Sequence, residues 1–176
     1  MNTNDFVIRT LEISDATLLF EMVQNNRTRL IDYFPISIGA MQDIDSTKAY
    51  IQEKIKQAEK KESFSFVIIC QKEIKPIGML FIKSLDWRIP KAELAYYIDK
   101  EHEGKGIVSK ALEWLVDHAF NELKINKLFL RVAPDNIGSK RVAEKNGFIV
   151  EGILRNDFKQ EDGTLIDLLY YGKLRK

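Results

Sequence analysis

Apolar residues recur at three- and four-residue spacing over residues 107–123, which is typical of a helix that buries one face. Weaker periodicity of the same kind predicts three more helices: one begins at Ser14, and the others span residues 45–61 and 137–145. Runs rich in β-branched and aromatic residues predict strands at residues 6–10, 64–71, 77–85, 92–98, 128–133, 148–154 and 165–172. Residues 27–39 show no clear period, and we predict an aromatic loop there.

The predicted elements follow the order βααβββαβαββ, which indicates an α+β fold of mixed α/β character. Turn signals at residues 72–76 and at Asp162-Gly163 separate consecutive strands and favour antiparallel hairpins. No internal repeat, low-complexity segment or linker interrupts the 176 residues. We therefore expect one domain over residues 1–176.

Charge and composition exclude several classes of protein. The 27 Lys and Arg residues are balanced by 26 Asp and Glu residues, so no basic nucleic-acid-binding module is predicted. One cysteine, Cys70, and two histidines make a dedicated metal site unexpected. No segment approaches the roughly 20 apolar residues that span a bilayer, and residues 1–9 do not resemble a signal peptide. We expect a soluble, cytoplasmic protein without nucleic-acid or membrane partners.

A glycine-containing loop precedes the strongest predicted helix. It reads Glu103-Gly104-Lys105-Gly106-Ile107-Val108-Ser109. The first amides of a helix lack intrahelical partners, and glycine lets the backbone approach a ligand closely, so this junction suits an anion such as phosphate. The spacing excludes a Walker A loop, because Gly106 follows Lys105, and a dinucleotide fingerprint, because Ser109 stands where a third glycine is needed. A loop that only caps a core helix remains the alternative.

The loop resembles the Gln/Arg-x-x-Gly-x-Gly/Ala signature of the GNAT superfamily of acyl-CoA-dependent N-acetyltransferases, with Glu103 and Val108 departing from its first and last positions. Four further segments are similar to the ribosomal-protein alanine/serine N-acetyltransferase (RimJ/RimL-like) branch of that superfamily. These are residues 8–11, 92–99, 136–148 and 151–155. The resemblance extends over essentially the whole chain.

This resemblance implies a fold and a cosubstrate. The implied fold is a central, mostly antiparallel sheet with a splayed strand pair, flanked by helices. The implied cosubstrate is acetyl-CoA, with no metal. Its pyrophosphate would lie on the loop amides of Glu103, Gly104, Lys105, Gly106, Ile107, Val108 and Ser109. The resemblance also implies that strand amides near Tyr97 and Ile98 face the thioester and that Asn136 contacts the CoA arm.

Acetyl transfer to an amine needs a neutral nucleophile and a proton for the departing thiolate. Within the resemblance, Glu93 is the candidate general base, acting through water, and Ser139 is the candidate general acid. The residues alone leave other interpretations open. Glu93 could be a strand carboxylate paired with Lys or Arg, and Asn136 and Ser139 are common helix-start residues with no function implied.

The acceptor amine is predicted least well. The resemblance favours the N-terminal amine of a protein, with a ribosomal protein as the first candidate. A polyamine or an amino sugar is the alternative acceptor, and a non-catalytic CoA-binding module or a nucleotide-binding domain is the alternative function. Loops at residues 27–44 and 156–163 are expected to flank the acceptor. Four acidic residues could attract a cationic amine, namely Glu21, Asp32, Asp157 and Asp162. A homodimer is expected from the resemblance and from a sheet edge predicted at residues 165–172.

Overall fold

The computed structural model describes residues 1–3 and 5–176. The strands are β1 (Phe6–Thr10), β2 (Phe64–Cys70), β3 (Lys75–Asp86), β4 (Lys91–Ile98), β5 (Lys127–Val132), β6 (Ile149–Lys159) and β7 (Leu165–Leu174). The α-helices are α1 (Ala16–Leu30), α2 (Pro35–Ala40), α3 (Ile44–Glu59), α4 (Ile107–Asp117) and α5 (Ile137–Lys145). Short 3₁₀ turns cover Ile13–Asp15 and Lys100–His102, and a wider π-helical turn covers His118–Glu122.

One seven-stranded sheet forms the centre of the molecule in the order β1-β2-β3-β4-β5-β7-β6. All neighbouring strands are antiparallel except β4 and β5, which run parallel. The parallel pair is in register only from Lys91 with Lys127 to Glu93 with Phe129. Beyond Glu93 the two strands separate, so the predicted α+β fold with a splayed strand pair is confirmed.

Two hydrophobic cores lie on opposite faces of the sheet, because successive strand residues point to opposite sides. On one face, Ala111, Leu112 and Leu115 of α4 pack on Leu80, Ile82 and other strand residues. On the other face, helices α1 to α3 cover a second core. The sheet therefore separates a face carried by α4 and α5 from a face carried by α1 to α3.

The N-terminal helix begins later than predicted. A 3₁₀ turn precedes α1, and the Asp15 carboxylate orders it by accepting from the Glu12 amide at 2.8 Å and from the Arg9 guanidinium at 2.6 and 2.8 Å. Ser14 is exposed and does not cap the helix, so that prediction is wrong. The buried Asp15 instead holds the turn before α1, and its side chain makes no cap hydrogen bond to that helix.

The predicted aromatic loop at residues 27–39 is mostly helical. Helix α1 continues to Leu30, and a six-residue helix begins at Pro35. Leu30 and Ile38 are buried in the second core, and Pro35 suits a first helical position because it has no amide hydrogen to satisfy. Tertiary packing therefore stabilises helical segments that are too short to show a period.

The C-terminal hairpin also differs from expectation. Strand β7 lies between β5 and β6, so the edge of the sheet is β6 and not the strand at residues 165–172. The Asp162-Gly163 turn is confirmed, with Gly163 at φ +89°. Among the described residues, no helix is long and apolar enough to cross a membrane.

Candidate active site

The separation of β4 from β5 opens a cavity of about 640 Å³. Its walls include Leu94 to Ile98 on one strand and Leu130 to Val132 on the other, and the first turns of α4 and α5 close one side. A parallel pair without its ladder leaves backbone donors and acceptors free, so this gap can bind an extended polar ligand.

The glycine loop forms one end of the cavity. Gly104 and Gly106 have φ values of +72° and +75°, in the left-handed region that favours glycine, and Gly106 is the N-cap residue of α4. In the described part of the chain, no protein group accepts a hydrogen bond from the amides of residues 104–109. A β-carbon added at Gly104 or Gly106 would meet nothing within 4 Å. These free amides at a helix N-terminus suit the pyrophosphate of a CoA-type ligand.

Glu103 uses its polar groups within the protein. Its carboxylate accepts from Arg29 Nη1 at 2.7 Å, and its amide donates to the Lys100 carbonyl at 3.2 Å. Arg29 also donates to the Ile98 carbonyl at 2.5 Å and to Asn26 Oδ1 at 2.9 Å, so α1 is tied to the end of β4. Glu103 lines the cavity, while its carboxylate neutralises Arg29.

Tyr97 and Ile98 lie in the half of β4 that pairs with β3 but no longer with β5. The Tyr97 side chain points to the α1–α3 face, where its ring contacts Phe34 at a centroid distance of 5.1 Å and its hydroxyl donates to Met79 Sδ at 3.0 Å. Full burial raises the pKa of Tyr97 well above its ordinary value. Only the backbone of Tyr97 is therefore available to a ligand between β4 and β5.

Glu93 lies where β4 and β5 part, and it is buried with a relative exposure of 4%. Its carboxylate accepts from Arg131 Nε and Nη2, both at 3.1 Å, and from Ser84 Oγ at 3.1 Å, and Lys83 Nζ lies 3.4 Å away. The ion-pair interpretation of Glu93 is therefore correct. This network also fixes the carboxylate in the wall of the cavity, where it can reach an acceptor amine directly or through water.

Asn136 and Ser139 begin α5 beside the cavity. Asn136 Oδ1 accepts from the Ser139 amide at 2.9 Å, which is an N-cap hydrogen bond. The Tyr96 hydroxyl donates to the Ser139 carbonyl at 3.4 Å, and burial raises the pKa of Tyr96 to about 12. Within the described residues, the Ser139 hydroxyl has no hydrogen-bond partner, and Ser139 lines the cavity. Both residues therefore have a structural role and also face the ligand space.

The acidic residues expected to attract the acceptor do not do so directly. In the described structure, none of Glu21, Asp32, Asp157 and Asp162 lines the cavity. Asp157 on β6 instead accepts from Arg131 Nη1 at 2.9 Å. Asp157 therefore serves the Arg131 ion pair and not the acceptor, and the expectation is corrected.

The cavity is lined instead by cations that the sequence did not predict. They are Arg29, Lys83, Arg131, Arg141 and Lys145. The sequence contained a signal that Arg131 has a charged partner, since an arginine between buried Leu130 and Val132 needs one. Arg29 had no such signal, because it lies in the segment without a clear period.

Comparisons with known proteins agree with this geometry. Residues 5–149 match the family described as acetyltransferase (GNAT) domain. The probable N-acetyltransferase YjcK of Bacillus subtilis (strain 168) is 33% identical over 153 residues, covering 86% of this chain and 84% of that protein. The ribosomal-protein-serine acetyltransferase of Escherichia coli (strain K12) is 29% identical over 139 residues, covering 78% and 75%.

A solved structure shares the fold. The ribosomal L7/L12 α-N-protein acetyltransferase RimL in complex with coenzyme A superposes with a TM-score of 0.90 at 22% identity, covering 98% of this chain and 95% of that one. The fold is therefore that of an acetyltransferase. The chain belongs to the GNAT acetyltransferase family. It is an N-acetyltransferase.

Proposed function

We propose that this enzyme acetylates the N-terminal amine of a protein, with a ribosomal protein as the foremost candidate. The observation that carries the proposal is the charge balance of the acceptor end. Glu93 is the buried carboxylate there, and Arg131 and Lys83 already neutralise it. A polyamine would bring two or more positive charges against these cations, whereas a peptide N-terminus brings one amine that can be neutral. The named function of the Escherichia coli relative supports the same class of acceptor.

The chain's own residues account for the steps of transfer. Acetyl-CoA supplies the acetyl group as a thioester. The amides of residues 104–109 hold the pyrophosphate, and the backbone of residues 94–97 on the side facing β5, together with the cap residue Asn136, positions the pantetheine arm. This positioning alone supplies a large part of the rate enhancement.

Glu93 and Ser139 accept and donate the protons of the reaction. Glu93 accepts a proton from the acceptor ammonium, directly or through water, and leaves a neutral amine. The nitrogen then forms a bond to the thioester carbonyl carbon, and the carbon–sulfur bond breaks. The Ser139 hydroxyl donates a proton to the departing thiolate and regains one, through water, from the nitrogen that has formed the new bond, while Glu93 releases its proton to solvent. The products are the N-acetylated acceptor and CoA with a free thiol.

A panel of acceptors tests the proposal. Thiol release from acetyl-CoA is measured with Ser- and Ala-starting peptides, with the same peptides blocked at the N-terminus, with spermidine and with an amino sugar. We expect turnover only with the free peptides. If kcat/KM is higher for spermidine or the amino sugar than for the free peptides, the proposal is wrong and the protein is a small-amine acetyltransferase. CoA binding without turnover on any acceptor would indicate a non-catalytic module.

The homodimer stays a prediction. The edge strand β6 exposes Ile149, Val150 and Ile153, with relative exposures of 68%, 50% and 61%. An exposed apolar edge is a common site of association between identical chains. Sedimentation velocity on the wild type and on Ile153→Lys tests whether the protein is a dimer and whether this edge forms it.

A further inference from the structure

A second, smaller cavity adjoins the acceptor end of the active site. It measures about 70 Å³ and shares Phe34, Lys83 and Ala95 with the large cavity. It lies on the α1–α3 face of the sheet, under α2 and α3. A group attached to an acceptor amine beside Glu93 can therefore reach it.

The small cavity combines two cations and three serines with apolar side chains, which are Phe34, Phe64, Phe81, Ile82 and Ala95. Lys54 of α3 and Lys83 of β3 supply the charge, and Ser37, Ser63 and Ser65 supply hydroxyl groups. Its lining contains no acidic residue of the described chain. The composition is therefore suited to an anion that accepts hydrogen bonds.

The charge of Lys54 is not compensated by an ion pair. Lys83 lies 3.4 Å from Glu93, but Lys54 has no carboxylate within 4.0 Å among the described residues. Its ammonium donates to Gln57 Oε1 at 3.1 Å and lies 5.3 Å from the centroid of the Tyr50 ring. Burial lowers the pKa of Lys54; Glu53 opposes this effect and Lys83 adds to it. A bound anion would offset the cost of this half-buried charge.

We propose that the small cavity is a recognition subsite for a carboxylate of the acceptor, held by Lys54 with the hydroxyls of Ser37 and Ser65, since the Ser63 hydroxyl already donates to Gln57 Oε1 at 2.8 Å. The inference rests on the proposed function, since it assigns the acceptor as a chain with an acidic residue at position 2 or 3, close to its reactive N-terminus. The same chemistry could be supplied by the α-carboxylate of a free amino acid, and the experiment separates the two sources.

The test is acetylation kinetics on amidated Ser-starting pentapeptides that carry Glu, Gln or Lys at position 2 or at position 3. We expect the Glu peptide to exceed the Gln peptide in kcat/KM by about tenfold at one of these positions, mainly through KM, with the Lys peptide lowest. Lys54→Glu should reverse the order of the Glu and Lys peptides. Lys54→Gln should abolish the difference between Glu and Gln peptides, which keeps the test available if the reversed charge prevents folding.

Lys56→Glu is the matched control, because Lys56 lies on the same helix, is exposed and lines neither cavity. It should leave the order of the peptides unchanged. Equal kcat/KM for Glu and Gln peptides at both positions, or an unchanged order in both Lys54 variants, would overturn the subsite.

A further arm compares serine with serine amide as acceptors. Preference for serine over all peptides would assign the subsite to a free amino acid and would refute the proposed protein acceptor while keeping the carboxylate. If the wild-type enzyme acetylates no peptide, the comparison of serine with serine amide alone tests the subsite. Equal rates with these two acceptors would then overturn it.

Discussion

The donor side and the acceptor side of the active-site cavity are built in different ways. The donor side uses free backbone amides of one continuous segment, residues 104–109, at the start of α4. The acceptor side uses side chains from four separate strands. These side chains are Lys83, Glu93, Arg131 and Asp157. Backbone recognition depends on the path of the chain, whereas side-chain recognition depends on how distant elements pack.

From this difference we expect the donor side to tolerate departures from the family signature. Val108 replaces a Gly or Ala, but its amide is still free, and the Glu103 side chain is engaged by Arg29. The acceptor side has less tolerance, because each member of the network neutralises another. Loss of Arg131, for example, would leave the buried Glu93 carboxylate with Lys83 as its remaining cation among the described residues.

Gly106→Pro should have the largest effect, because it attacks the donor side through its backbone. Proline is restricted to a φ of about −65° and has no amide hydrogen, whereas Gly106 has φ +75°. We expect CoA affinity to fall at least about 100-fold, measured by calorimetry. Gly163→Pro is the control, since Gly163 also has positive φ but does not line the cavity. It should lower the melting temperature and keep CoA affinity; equal losses of affinity in both variants would refute a specific role for Gly106.

Glu93→Gln tests the acceptor side. Removing a general base should lower kcat/KM by about 100-fold and flatten the acidic limb of its pH profile, while CoA affinity is kept. Asp157→Asn makes the same charge change on the other side of Arg131 and should have a much smaller effect on rate. If both variants lose activity equally and the pH profile of Glu93→Gln keeps its acidic limb, Glu93 only supports the network.

Ser139→Ala tests a residue that lies between the two sides. Loss of its hydroxyl should lower kcat by about tenfold and leave CoA affinity within about twofold, because its amide still donates to Asn136. Asn136→Ala removes the cap and should cost about 1 kcal/mol of stability. Parallel loss of CoA affinity and rate in Ser139→Ala would show that the hydroxyl has a structural role.

The smallest expected effect concerns a residue outside both sides. His118 packs against Phe66 and Trp114, with ring centroids 5.3 and 5.2 Å away, and burial lowers its pKa from 6.5. The unfolded chain therefore binds more protons than the folded protein below pH 6.5, so stability should fall as pH falls through that value. Urea unfolding at about pH 7.5 and about pH 5.5 measures this, and His118→Gln should reduce the difference. An unchanged difference would assign the pH dependence to other groups.

The sequence predicted elements that are long, periodic or β-rich. All seven strands and helices α3, α4 and α5 occur near their predicted positions, because hydrophobic periodicity records the face that each element buries. The prediction was wrong at α2, because six residues are too few to show a period. It was also wrong at Ser14, where the buried Asp15 orders the turn. The sequence also predicted a sheet edge at residues 165–172, which is β7, because local patterns do not show the order of strands in a sheet.

For the site, the sequence by itself determined the glycine loop, since an anion cradle of backbone amides needs only a local run of residues before a helix. Only the tertiary structure decided the acceptor side. It paired Glu93 with Arg131 and Lys83, paired Arg131 also with Asp157, and left Lys54 without a carboxylate within 4.0 Å in the part of the chain that the structure describes. Such pairings join residues far apart in the chain, and electrostatic attraction depends on their final separation and burial, which no local pattern records.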